Sequence, residues 1–332
     1  DSVKGHELLA KDILNDNHSV LMTAGTTVKK EYINRLKELD VEFIYVEDEI
    51  AQGVNLLDSL ELQIQEQCQD AVRDILLTYT YHDDSKMEEI IFIADAIIYD
   101  IMSKPEVIYN VSTIRTKSES TYAHSLNVCA LSVILAFKLK IPKEKVREIA
   151  IGCLLHDIGF TYVTFDYKNI NIEECTKKEQ KEIKKHVIYG YSAVEKMEWL
   201  SKTSRDIILS HHERMDGSGY PFRLSGSKIS IGSKIAAVCD EFDSRAYGNL
   251  MPRSKVHEVI DYIVSQAENK FDLDIVKAFV ASVAAYPIGS ILRYKEMEFK
   301  NIFYLSDLEK AFSIVKQSTG VQIHGILGSL FF

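Results

Sequence analysis

The sequence predicts a mainly α-helical protein with a small α+β domain at its N terminus. Only 5 prolines and 15 glycines occur among 332 residues, which favours helices over a turn-rich β fold. Apolar residues recur at helical spacing from about residue 55 to about residue 285, whereas two short β-like runs lie within the first 50 residues. We therefore expect an accessory domain followed by a helical bundle.

The N-terminal region, residues 1–104, is expected to be an accessory or regulatory domain with linking helices. Ser19–Thr23 and Glu42–Val46 predict strands, because they are rich in β-branched, aromatic and other apolar residues. A helical stripe between them predicts a helix with Thr27 as its N-cap. Two further apolar stripes predict helices, and Pro105 interrupts the pattern, so we place the domain boundary there.

Residues 105–332 are expected to form the second, helical domain with a short C-terminal extension. The helical segments run to Tyr286–Ser290, where a proline and a glycine end them. A β-like run at Ile291–Tyr294 and a helix at Ser306–Lys316 follow.

Composition excludes several classes of protein. The chain has 39 basic and 49 acidic residues, a net charge of −10, which argues against a partner that is duplex nucleic acid. We find no apolar run of the roughly 18–20 residues that a membrane span needs. The 5 cysteines are scattered without a CxxC pair, so we expect reduced thiols and a cytoplasmic location.

Seven residues in the helical half are potential metal ligands. Each single residue or adjacent pair falls on a different predicted helical element, and a bundle can bring such residues to one interior point. Several follow apolar runs, where polar groups would be costly to bury without a partner or a metal ion. The seven are His124, His156, Asp157, His186, His211, His212 and Asp240.

The adjacent pairs indicate two metal ions. Neighbouring helix residues point about 100° apart, so we expect His211 and His212 to serve different ions. Asp157 could then bridge the ions through its two carboxylate oxygens. Imidazole and carboxylate ligands without a thiolate suit iron or manganese, and also zinc. The residues alone support a dimetal helical hydrolase or oxidase.

The sequence around these residues resembles that of the HD-GYP family. His156–Gly159 reads His-Asp-Ile-Gly, and His211–Pro221 fits the family's HHExxDGxGYP signature at every fixed position. His186 lies in a stretch similar to the family's KxHxxxG, and Asp240 opens one similar to its DxFD. The resemblance extends from about His124 to Gly289, and the first 50 residues resemble a small domain often found upstream.

The resemblance implies an HD-type helical bundle that acts in signalling by a bacterial second messenger. It implies a phosphodiesterase that hydrolyses cyclic di-GMP to pGpG and/or GMP through a hydroxide activated by two metal ions. The same seven residues would be the metal ligands, with His156 and Asp157 as the catalytic pair.

A glycine-containing loop, Asp216–Pro221, is termed the GYP loop below. Family resemblance implies that this loop borders the site and serves as a docking point for a signalling protein. Its expected functional residues are Gly217, Gly219, Tyr220 and Pro221. A homodimer is one option for the oligomeric state, which the sequence leaves open.

The chain departs from the family at the substrate phosphate. Many members have a lysine directly after His-Asp-x-Gly, and here that position is Phe160. The basic, tyrosine-containing stretch that usually follows DxFD aligns poorly here. Basic residues elsewhere are candidates to compensate, namely Lys184, Lys185, Arg214, Arg245 and Arg253. Of these, we expect Lys185, Arg245 and Arg253, together with Tyr220, to bind substrate.

Two alternatives stay open at this point. A catalytically weak or inactive module could bind a cyclic dinucleotide and signal through a partner, or a general HD phosphohydrolase could act on other phosphoesters. The altered phosphate contacts could also shift preference towards cyclic GMP-AMP. Some members of the family that the chain resembles hold a third metal ion through an acidic residue shortly before the first histidine. Here Glu119 lies five residues before His124 and Ser120 is at the i−4 position, so we expect two ions.

Overall fold

A computed structural model of the protein describes residues 7–9, 13–14, 20–38, 44, 85–103, 120–165, 170–283, 292–294 and 297–299. The part described is mainly helical, so the predicted fold class is confirmed. The predicted helix at Ser306–Lys316 and all of the predicted strand Glu42–Val46 except Ile44 lie outside the described residues. Residues 104–119 are outside as well, so the domain boundary at Pro105 stays a prediction.

The described residues belong to two compact units, and the first contains the N-terminal elements. Strand β1 (Ile13–Leu14) pairs antiparallel with β2 (Val20–Met22), which confirms the first predicted strand. Helix α1 spans Lys30–Glu38. The prediction that Thr27 is the N-cap of this helix was wrong, because the helix begins three residues later and Thr27 instead forms a β-bridge with Leu8.

A small apolar core holds the first unit together, formed by Leu9, Ile13, Val28 and Leu36. The same unit contains a two-stranded antiparallel hairpin, with one strand at Leu292–Tyr294 and the other at Met297–Phe299. The first of these strands confirms the β-like run predicted after the helical segments.

The second unit is helical. Its described α-helices are α2 (Ser85–Ser103), α3 (Ser120–Lys138), α4 (Lys143–Leu155), α5 (Lys177–Lys184), α6 (His186–Val194), α7 (Lys202–Ser210), α8 (Ile231–Tyr247), α9 (Val256–Ser265) and α10 (Leu273–Val280). Two 3-10 helices, Ile158–Tyr162 and Gly226–Lys228, connect them. None of these described helices has the length and apolarity needed to cross a membrane.

Side-chain caps define where several of these helices begin. Ser201 and Ser230 accept hydrogen bonds from main-chain N–H groups three residues later, at the starts of α7 and α8. Thr176 and Glu179 form a reciprocal capping box at the start of α5. These local signals fix the helix starts that carry the predicted ligands into the interior.

Helix α3 is buried over most of its length, since every side chain from residue 123 to residue 136 is buried. A helix that is buried all round must be covered on every side, and its sequence is accordingly apolar over most of its length. Among the other helices, α4 packs against α2 and α7, α7 packs against α6 and α8, and α8 packs against α9 and α10. This arrangement brings the ends of α4, α6 and α7 together.

Candidate metal centre

All seven predicted ligands lie in one cluster inside the helical unit. His124 is near the start of α3, His186 is the first residue of α6, and Asp240 lies within α8. His156–Asp157 and His211–His212 directly follow the last residues of α4 and α7. Six of the seven are buried, and the side chain of His212 retains 19% exposure.

Asp157 lies between two groups of histidines. Its Oδ2 atom is 3.6 Å from the Nε2 atom of His124 and 3.4 Å from that of His156. Its Oδ1 atom is 3.5 Å from the Nε2 atom of His186 and 3.7 Å from that of His211. The two oxygens of one carboxylate therefore face two different pairs of imidazoles.

Asp240 supplies the second carboxylate. Its Oδ1 atom lies 3.2 Å from the Nε2 atom of His124, and its Oδ2 atom lies 3.5 Å from the Nδ1 atom of His212. The potential ligand atoms form two groups, each with its atoms within 4.8 Å of one another. One group is His124, His156 and Asp157, and the other is His186, His211 and His212.

Hydrogen bonds on the far side of each ring fix the orientation of four histidines. The Nδ1 atom of His124 bonds the Oδ2 atom of Asp243 at 2.7 Å. The Nδ1 atoms of the other three, His156, His186 and His211, bond main-chain carbonyls at 2.7, 2.7 and 3.0 Å. Carbonyl and carboxylate oxygens accept, so Nδ1 donates in every case and the neutral ring carries its lone pair on Nε2.

The Nε2 atoms of these rings converge in pairs. The Nε2 atoms of His124 and His156 are 3.2 Å apart, and those of His186 and His211 are 3.3 Å apart. Neutral imidazoles in this tautomer would direct lone pairs at each other and at the oxygens of Asp157. Cations remove that repulsion, and imidazole with carboxylate is a donor set that suits divalent transition metals. The residues present therefore fit a site for divalent metal ions.

The expectation that His211 and His212 serve different groups was wrong. It assumed that both residues lie within a helix, where their side chains would diverge. Helix α7 instead ends at Ser210, so His211 caps it and His212 lies in the following turn. The two rings are 4.2 Å apart between centroids, and both fall in the group that contains His186.

Proton affinities differ within the cluster. Burial lowers the pKa of His124, but hydrogen bonds with Asp240 and Asp243 outweigh it and raise this pKa to about 10. Burial and the charges of His156 and His186 lower the pKa of His211 to about 3. For Asp157, burial acts to raise the pKa, but the neighbouring histidines outweigh it and lower the pKa well below its usual range. Asp157 is therefore a carboxylate at neutral pH.

Phe160 forms an apolar wall of the site. Its ring stacks on that of His186, with centroids 4.2 Å apart and planes inclined by 10°. The contact depends on a close approach, because a Cβ atom at Gly159 would overlap the carbonyl oxygen of His186. The side chain at position 160 is 5% exposed and is packed on a predicted ligand.

The GYP loop is anchored beside the cluster by a buried carboxylate. Glu213 accepts hydrogen bonds from the main-chain N–H groups of Phe222 at 2.7 Å and Leu224 at 2.9 Å. A Cβ atom at Gly219 would lie 2.5 Å from main-chain atoms of the His212–Arg214 turn, so the loop needs glycine there. The ring of Tyr220 stacks on His212 at 4.7 Å, which brings the loop to the edge of the cluster.

The three basic residues that were predicted to bind substrate either pair with a carboxylate or are exposed. Lys185 bonds Glu182 at 2.8 Å, and Arg245 bonds Glu241 at 2.7 Å while lying 4.0 Å from the centroid of the Tyr262 ring. Arg253 is exposed in the segment after α8. These contacts do not join the three residues to the histidine cluster, and their substrate-binding roles stay predictions.

Two residues that orient the site were not singled out from the sequence. Asp243 accepts from His124 and, through Oδ1, from the Nδ2 atom of Asn127 at 2.9 Å. Asn127 follows His124 by three residues, and Asp243 follows Asp240 by three. Residues three apart share a helix face, so helical spacing from each predicted ligand was the signal that could have found them.

Comparisons with known proteins agree with this geometry. A family model described as "HD domain" matches residues 104–275. The chain is 34% identical over 203 residues to a cyclic di-GMP phosphodiesterase of Pseudomonas aeruginosa, a match that covers 60% of this chain and 48% of that protein. It is 27% identical over 207 residues to 3'3'-cGAMP-specific phosphodiesterase 2 of Vibrio cholerae, covering 62% of this chain and 38% of that protein.

The fold has a counterpart among solved structures. Bd1817, an HDG"Y"P protein from Bdellovibrio bacteriovorus, superposes with a TM-score of 0.51 at 19% identity, covering 84% of this chain and 94% of that chain. This similarity concerns the fold alone. The chain spans about half or less of the length of the two phosphodiesterases above.

Proposed function

This chain belongs to the HD domain family, and we propose that it is a metal-dependent phosphodiesterase that hydrolyses cyclic di-GMP to pGpG and/or GMP. The observation that carries the proposal is the placement of Asp157, whose two oxygens face two separate pairs of imidazole nitrogens. Relatives with cyclic dinucleotide phosphodiesterase activity in their names support the substrate class.

We propose that the cluster holds two divalent ions, iron or manganese. His124, His156 and Asp240 would hold one, His186, His211 and His212 the other, and Asp157 would contribute one oxygen to each. Divalent ions held there would supply positive charge that stabilises an anionic phosphate and would make water acidic enough to act as a nucleophile near neutral pH. The histidines are divided as in the two groups of ligand atoms within 4.8 Å of one another, and Asp240 is placed with His124 because its Oδ1 atom lies 3.2 Å from the Nε2 atom of that residue.

The chain's own residues would orient and shield this chemistry. Asp243 holds the His124 ring through Nδ1, and main-chain carbonyls hold three further rings, so the Nε2 atoms keep fixed directions. Phe160 covers one face of His186 and excludes water from it. Substrate would therefore approach from the side of His212 and Tyr220, which retain some exposure.

Further roles at the GYP loop belong to the same proposal. Tyr220 would contact the substrate, and Gly217, Gly219 and Pro221 would shape the loop around it. The exposed ring of Phe222, directly after the loop, supports a protein docking point there. A signalling partner at this loop, a homodimer and a cytoplasmic location are proposed with it.

The test is product analysis with purified protein. Anaerobically prepared protein is loaded with Fe²⁺ or Mn²⁺ and incubated with cyclic di-GMP, 3'3'-cGAMP or a simple nucleotide, and the products are separated by chromatography. We expect cyclic di-GMP to disappear and pGpG or GMP to form. Metal content is measured on the same samples, with two ions per chain expected.

Two variants make this test specific. Asp157→Ala and His156→Ala should each lower turnover at least about a hundredfold and reduce bound metal, while the helical circular dichroism stays unchanged. Tight binding of cyclic di-GMP without product from the wild-type protein would favour the binding module instead. Faster hydrolysis of the simple nucleotide would point to a general phosphohydrolase.

A further inference from the structure

The position of Phe160 leaves the site without a cation next to the His-Asp pair. The aromatic ring is 5% exposed and stacked on His186, so this position cannot contact an anionic phosphate. A phosphodiester substrate keeps its negative charge, so a basic side chain near the cluster would stabilise it. A basic side chain near the cluster that has no carboxylate partner could supply the positive charge that position 160 lacks.

Helix α5 is basic and leads directly into the site. Residues 177–185 contain five lysines and two glutamates, a local net charge of +3 within a chain whose net charge is −10. The next residue is His186, a member of the cluster. A positive helix end beside the cluster would attract an anionic ligand over the general acidity of the surface.

Lys184 is the member of this helix that reaches the rim of the cluster. Its Nζ atom lies 5.3 Å from the centroid of the Tyr220 ring, and that ring lies 4.7 Å from the ring of His212. The ammonium is therefore within about 10 Å of His212. Its side chain is exposed, so the ammonium can reorient towards a ligand.

Three of the four other basic candidates are already engaged with carboxylates. Lys185 pairs with Glu182, whereas Arg214 and Arg245 share Glu241. No carboxylate lies within ion-pair distance of Lys184 in the part of the chain that the structure describes. Moving Lys184 to a phosphate would therefore break no ion pair among the described residues, which is not true of these three alternatives.

We propose that Lys184 binds a phosphate oxygen of the cyclic dinucleotide and replaces the cation lost at position 160. The Tyr220 ring holds the ammonium at the mouth of the site by a cation–π contact. The same ring stacks on His212, so it links the ammonium to the cluster. This inference rests on the proposed phosphodiesterase function and assigns to it a residue that sets substrate affinity.

The test compares Lys184→Gln with Lys184→Arg and with Lys181→Gln, which removes an exposed charge one turn earlier on the same helix. Loss of one charge-assisted hydrogen bond predicts a rise of about tenfold in KM for cyclic di-GMP in Lys184→Gln, with kcat changed by less than about threefold. Binding of a hydrolysis-resistant phosphorothioate analogue, measured by calorimetry, should weaken by the same factor. Lys184→Arg should recover most of the affinity, and Lys181→Gln should match the wild type.

The outcomes separate this inference from the proposed function. An active enzyme whose KM and analogue affinity are unchanged in Lys184→Gln would overturn the role of Lys184 and leave the phosphodiesterase proposal intact. Wild-type protein that binds metal but hydrolyses no cyclic dinucleotide would overturn the proposed function itself. An equal loss in Lys184→Gln and Lys181→Gln would mean that general helix charge, and not this contact, sets affinity.

Discussion

The hydrogen bond between Asp243 and His124 gives a sharp test of how the metal centre is held. Asp243 accepts from the Nδ1 atom of His124 at 2.7 Å with one oxygen and from the Nδ2 atom of Asn127 at 2.9 Å with the other. An asparagine at position 243 has one acceptor atom and one donor group. It can satisfy either His124 or Asn127, but it must present a donor to the other.

The magnitude follows from which bond is lost. If the amide turns its nitrogen to His124, the Nδ1 proton loses its acceptor and the ring is free to rotate or change tautomer. If it turns its oxygen to His124, a neutral acceptor replaces a charged one, and the buried amide of Asn127 faces another donor. Loss of such an outer contact typically costs 10- to 100-fold in metal affinity, about 1.4–2.8 kcal/mol.

The assay is a competitive titration of metal-free protein against a fluorescent chelator, with Mn²⁺ and with Zn²⁺. Asp243→Asn should bind 10 to 100 times more weakly than the wild type, while its helical circular dichroism is retained. Asp274→Asn is the matched control, because the side chain of Asp274 is 82% exposed and its ion pair with Lys277 is long at 3.8 Å. Unchanged metal affinity in Asp243→Asn would refute the view that this bond fixes the His124 ring for a metal ion.

The remaining predictions concern pH and the GYP loop. The pKa of His124 in metal-free protein is raised from 6.5 to about 10, so its stabilising contribution is complete below about pH 6.5 and is lost as the pH rises through 10. In EDTA, the free energy of unfolding by urea should therefore fall between pH 7 and 10 by up to about 1.4 kcal/mol per pH unit. A similar slope in His124→Asn would show that the fall does not come from His124. Gly219→Ala should lower the free energy of unfolding by about 1–3 kcal/mol, because its Cβ atom would lie 2.5 Å from main-chain atoms, whereas the exposed Ser218→Ala should change it by less than about 0.5 kcal/mol. Equal stability of the two loop variants would mean that the loop tolerates the overlap.

The helical class and the ligand cluster were predictable because they depend on patterns spread along the chain. Apolar spacing predicts the helices, and histidines and aspartates at the ends of apolar runs must find partners when buried. His124, His186 and Asp240 lie on three separate helices and still meet, as expected for a bundle. Each of these inferences needs only the type of a residue and its place in a periodic segment.

Contacts across the molecule could not be predicted in the same way. The partner of each charged side chain depends on how helices cross, so the sequence favoured Lys185, Arg245 and Arg253 as substrate contacts over Lys184. The structure pairs Lys185 with Glu182 one turn away and Arg245 with Glu241. A charge that is neutralised by its own helix is a poor candidate for a ligand, and i,i+3 or i,i+4 spacing could have given warning of this.

The ends of helices explain why two adjacent pairs can serve one cluster. Within a helix the side chains of His156 and Asp157 would diverge by about 100°, but α4 ends at Leu155, and Asp157 has φ −98° and ψ 9°, outside the helical region. No glycine or proline marks the end of α4 in the sequence. The first glycine after it is Gly159, and the close approach of Gly159 to the His186 carbonyl depends on a distant part of the chain. His211 and His212 likewise follow the end of α7. Because helix C-termini carry partial negative charge, ending two helices at the cluster places both pairs where cations are favoured, an effect that helix periodicity alone cannot predict.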